Sequence, residues 1–117
     1  MIGLDRLMKI TGVIAAGQFS PEGKMIRQVG EVPLDTLETG ELCLRQTKAT
    51  GDLLTSLDQR SDRPWLPLVG WAAWGSKYSV VVVGNTRVFV ETKRADFNQL
   101  MVDLYSPEPT GPRPMNY

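Results

Sequence analysis

Trp65, Trp71 and Trp74 fall within one ten-residue stretch, the densest group of distinctive side chains in the sequence. Tryptophan is a frequent core filler, and it is also enriched where proteins touch one another. In an unbulged strand Trp71 and Trp74, an odd number of residues apart, point to opposite faces. One of them is then free to serve a contact while the other fills the core. Ala72 and Ala73 between them are small enough for close packing. Cys43 is the only cysteine. It sits beside apolar residues and reads as a small buried hydrophobe, because an activated thiol needs a cationic neighbour and Arg45, two positions along a helix, faces elsewhere. The sequence contains no histidine, which removes the commonest general base, the serine–histidine–aspartate arrangement and most zinc sites. Asp5, Glu22, Glu31, Asp35, Glu38 and Glu41 show no metal-loop spacing and read as solvated surface. "GWAAWG" and "VGNT" lack the lysine and the strand-to-helix setting of a phosphate loop. Arg87, Lys93 and Arg94 form a local basic group that reads as a solvated face. The expectation is a chain with no catalytic residue, no metal and no cofactor.

The elements that carry these residues follow from periodicity. Leu4, Leu7 and Met8 make one helical stripe, so residues 2–11 read as a short helix with Gly12 suited to its end. "VIAAGQF", "SPEG" and "KMIRQV" read as strands at 13–19 and 24–29 joined by a turn with Pro21 and Gly23 in favourable positions. The run Val13 to Ala16 is apolar at consecutive positions, as in a strand covered on both faces. Residues 34–60 read as a long helix with Leu42, Ala49, Leu53 and Leu57 as its apolar stripe and Thr39 or Asp35 as the cap. Gly51 in mid-helix marks a place where another helix can come close. Pro64 and Pro67 confine the strand at 68–75 to an edge or to a start near Leu68. "SVVVVGNTRVFVE" reads as a hairpin turning at Gly84-Asn85, with "VVVV" again covered on both sides. Phe97, Leu100, Met101 and Leu104 keep helical spacing, with Asp96 at the start.

The order is α-β-β-α-β-β-β-α. The joining loops are short, so the sheet is expected to be antiparallel. Two strands demand cover on both faces and three helices are available, which gives a three-layer α/β/α sandwich of the α+β class. The 117 residues fit one domain, expected over residues 1–105. Residues 106–117 carry four prolines and read as a flexible, proline-rich tail. The net charge is zero, so no basic field steers the chain to nucleic acid or to an anionic membrane. Asp5, Arg6 and Lys9 interrupt any signal-peptide pattern, and "VVVV" is far too short to span a bilayer; a cytoplasmic setting is expected.

The element order, with "LMKITGVIAAGQFSPEGKMIRQVG" at its start and "SVVVVGNTRVFVE" before the last helix, resembles the roadblock/LC7 superfamily and looks closest to a bacterial family of unknown function with that fold. The resemblance spans residues 2 to about 105. It implies a five-stranded antiparallel sheet, a homodimer and a non-catalytic role in scaffolding or regulation. Its better-known members are dynein light chains, regulators of small GTPases and scaffolds for signalling complexes. The "GWAAWG" segment and the proline-rich tail depart from those members.

Two functions are therefore expected from this sequence. The first is a non-catalytic homodimeric scaffold or regulatory subunit that binds another, unidentified protein. Its dimer interface would comprise Gly70, Trp71, Ala72, Ala73 and Trp74 on the edge strand, with Gly51 on the long helix. The alternative is a small-molecule sensor with a pocket between sheet and helix near the tryptophans.

Overall fold

The computed structural model describes residues 3–31 and 36–105, without the side chains of residues 36–38. The expected proline-rich tail, Asp35 and the side chain of Glu38 lie outside the described part. The elements in chain order are α1 (Leu4–Met8), β1 (Val13–Phe19), β2 (Met25–Gly30), α2 (Thr36–Arg60), β3 (Gly70–Trp74), β4 (Tyr78–Val83), β5 (Thr86–Glu91) and α3 (Phe97–Tyr105). This is the expected order.

The strands form one five-stranded antiparallel sheet in the order β2-β1-β5-β4-β3. β1 and β2 are joined at Ser20–Gly23, where the Gly23 N–H donates to the Ser20 carbonyl at 2.9 Å. β4 and β5 turn at Gly84-Asn85. Gly84 has a φ of 60° and, among the described residues, none other than glycine has a positive φ, so Asn85 does not, the pattern of a type II′ turn. The long-range step is β1 against β5, which places β5 in the middle and leaves β2 and β3 at the edges. The restriction imposed by Pro64 and Pro67 is met: β3 begins after them and lies at an edge.

The two faces of the sheet are covered differently. On one face Leu4, Leu7 and Ile10 pack with Ala16, Val81, Val83, Val88 and Val90, and with Leu100 and Leu104 of α3. Arg6 of α1 also donates to the buried Asp103 of α3 at 3.2 Å, tying the two helices together. Asp96 caps α3 by accepting the Gln99 backbone N–H at 3.0 Å, as expected. On the opposite face Phe19, Leu68 and Val82 form a smaller cluster with Leu54 of α2, Trp71 and Val80. The valines of β4 therefore alternate between two cores, which is why "VVVV" is apolar at every position.

α2 differs from its expected orientation. Its sheet-facing line is Gly40, Cys43, Thr47 and Gly51, all buried. Most of the expected apolar stripe points outward: Leu42 and Leu53 are more than half exposed and Ala49 is exposed, while Leu57 is half-buried. Periodicity shows that a stripe exists and not which surface it covers. The narrow line is needed because α2 sits close to the sheet: a Cβ on Gly40 would collide with the Gly23 carbonyl. Thr39 is the fourth residue of α2 and buried inside it, so it is not the cap.

Candidate functional site

β3 carries five of the six residues expected at a dimer interface. Gly70 and Trp71 are half-buried, and Ala72, Ala73 and Trp74 are exposed. Among the described residues β3 pairs with β4 alone, so its other side presents backbone groups without a strand partner. Gly70 serves a contact within the protomer, since a Cβ there would collide with the Val82 carbonyl.

The tryptophans do not form one cluster. Trp71 lies opposite Val82 on the α2 side, and its indole N–H donates to Thr47 Oγ1 at 2.9 Å. Trp74 lies opposite Ser79 on the α3 side, where its ring meets Phe97 edge-on with centroids 4.6 Å apart. Trp65 is exposed on the α2–β3 connection, its backbone N–H held by Asp58 at 3.1 Å. The expected division of Trp71 and Trp74 between two faces is present. The neighbourhood of Trp71 is packed by Phe19, Leu54, Leu68 and Val82.

Gly51, expected at the interface, is buried within the protomer in the middle of α2. The outward surface of α2 is Leu42, Ala49 and Leu53.

Arg87 was missed. It is 1% exposed and stands on the central strand, facing α2. Its guanidinium carbon lies 5.7 Å from the centre of the Phe19 ring and 5.9 Å from that of Phe89. Gly17 on β1 is its direct cross-strand neighbour, and the thioether of Met25 lies over that glycine. The basic group expected with Lys93 and Arg94 therefore does not exist: those two are exposed and Arg87 is core. Cys43 is buried near it. Burial pushes the thiol above its ordinary value, and Arg87 offsets part of that rise. A thiol held protonated in this way is a poor nucleophile.

Solved structures with the same fold were found. The gliding protein MglB of Thermus thermophilus superposes with a TM-score of 0.71 at 13% identity, covering 86% of this chain and 76% of that one. An MglB structure described as having a tetrameric arrangement gives 0.70 at 14% identity, covering 86% and 75%. A roadblock/LC7 domain from Streptomyces avermitilis gives 0.70 at 11% identity, covering 86% and 83%. No curated protein sequence matches the chain. At these identities the likeness establishes the fold, which is that of the roadblock/LC7 domains. Residues 3–106 match the profile of a family described as uncharacterized conserved protein, DUF2173, and the chain belongs to that family.

Proposed function

We propose that this protein is a non-catalytic homodimeric scaffold or regulatory subunit whose task is to bind another protein. The reading is carried by two exposed features: the edge of β3 with Ala72, Ala73 and Trp74, and the outward line of α2 with Leu42, Ala49 and Leu53. An exposed apolar edge invites pairing. A twofold axis along it would satisfy the β3 backbone with its own copy and bring the two α2 lines together. The roadblock/LC7 fold, and the higher assembly described for one MglB structure, support self-association.

The exposed α2 line offers a test that spares the protomer. Leu53 is 57% exposed, so Leu53→Arg removes little from the core while placing a like charge pair across the proposed axis. The variant is expected to stay folded, with an unchanged circular dichroism spectrum, and to elute as a monomer where the unmodified chain elutes as a dimer. A folded variant that still elutes as a dimer would contradict the arrangement. Affinity capture from the native source then tests the role: a stoichiometric protein partner supports the scaffold, and a co-purifying metabolite without a protein supports a sensor. One observation favours that second reading: Arg87 Nε and Nη1 are buried beneath α2 without a hydrogen-bond partner.

A further inference from the structure

Across the α2-facing side of the sheet runs one row of directly paired residues: Gln28 on β2, Gly17 on β1, Arg87 on β5, Val82 on β4 and Trp71 on β3. At its β3 end the row is satisfied, because Trp71 donates to Thr47. Its middle and other end are not. Arg87 Nε and Nη1 are buried without a hydrogen-bond partner, and so is Gln28 Oε1. Arg87 Nη2 reaches the thioether of Met25 at 3.9 Å, and the guanidinium also bears on the sulfur of Cys43. No oxygen among the described residues accepts from this guanidinium. Sulfur is a weak acceptor, and two phenylalanine faces stabilise a cation without satisfying its N–H groups. A buried charge without a counter-charge is strongly unfavourable, and so is a buried polar atom without a partner. These orphaned atoms lie on one face of the sheet, under one helix.

We propose that Arg87 is the centre of a binding site for a small oxyanion, held between the central strand and α2. Phosphate and small carboxylates have that chemistry, with charged oxygens for Arg87 Nε and Nη1. Gly40 and Cys43 line the helix side. Gly40 keeps a side chain out of the space next to Arg87, since a Cβ there would come within 4.0 Å of Nη1. Arg87 is 1% exposed, so the anion exchanges when α2 lifts from the sheet, and binding is slow. The site is complete within one protomer and does not depend on dimerisation.

The test compares thermal unfolding of the full chain in oxyanion-free chloride buffer with unfolding after overnight equilibration with phosphate, glycolate or acetate, each against sodium chloride at matched ionic strength. The unmodified chain is expected to melt several degrees higher with phosphate, glycolate or acetate, in a saturating manner. Arg87→Met is expected to lose the response and to melt higher than the unmodified chain in the chloride buffer, because an unpaired buried charge is gone. A melting temperature that follows ionic strength alone, as expected for a row bridged by buried water only, would overturn the proposal, as would an equal response in Arg87→Met. Alkylation of Cys43 in the unmodified chain needs no variant. Iodoacetamide reaches a buried thiol through opening of α2, so phosphate is expected to slow labelling several-fold, and an unchanged rate counts against the site.

Discussion

Trp71 is bound to Thr47 across the layer between sheet and long helix, indole N–H to hydroxyl oxygen at 2.9 Å, while the same hydroxyl donates to the Cys43 carbonyl one turn back at 2.8 Å. The two bonds use both capacities of the threonine. They hold β3, the strand on which the proposed assembly depends, to α2, the helix that flanks it.

Because Thr47 keeps its bond to Cys43 when the indole is lost, Trp71→Phe is expected to cost only the bond and the lost area, on the order of 1–2 kcal/mol. A double-mutant cycle with Thr47→Val checks the coupling. About 0.5–1.5 kcal/mol is expected from denaturant unfolding; a value near zero would mean that the bond does not anchor β3.

Ala16 is 1% exposed within the α1–α3 core. Ala16→Asp places a carboxylate there without a partner, at a cost of several kcal/mol against a total stability of about 5–15 kcal/mol. The variant is expected to lose its cooperative melting transition. An unchanged melting temperature would show that β1 is not interior.

Gly40→Ala sets two effects against each other. Alanine improves helix propensity by about 1 kcal/mol, yet its Cβ collides with the Gly23 carbonyl, and overpacking of this kind costs roughly 1–3 kcal/mol. Backbone cannot give way as a flexible side chain does, so net destabilisation is expected. A stabilised variant, seen in the denaturant midpoint, would mean that α2 rides higher over the turn than described.

Cys43 gives a pH dependence. Its thiol stays protonated in the folded chain to a higher pH than in the unfolded chain. The unfolded state therefore loses its proton first, and the stability contributed by the neutral thiol is full below about pH 8.5, the ordinary thiol value, and declines as pH rises above it. Subtracting the stability curve of Cys43→Ala from that of the unmodified chain isolates this slope. A difference that rises through the same range would reverse the assignment.

Much of the architecture was legible because its signals are local. "SPEG" and Gly84-Asn85 specify their turns, Pro64 and Pro67 push β3 to an edge, and Asp96 caps α3. The consecutive valines of β4 follow from cover on both faces. Two features were not legible. The apolar stripe of Leu42, Ala49 and Leu53 has helical spacing whether it meets the sheet or another chain, and the sheet side is held instead by the small residues Gly40, Cys43, Thr47 and Gly51. In "TRVFVE" Arg87 reads as the wet face of an alternating strand. Its burial follows from the pairing of β1 with β5, which puts β5 in the centre of the sheet and depends on residues some seventy positions away.

Pairing of β3 with its own copy is the claim on which the functional reading rests, and the mass of the purified chain tests it most directly. Light scattering at micromolar concentration is expected to give twice the 13.0 kDa of the chain. Ala72→Pro, which removes a backbone donor and obstructs the edge, is expected to abolish that mass. A mass of 13.0 kDa for the unmodified chain would contradict the account.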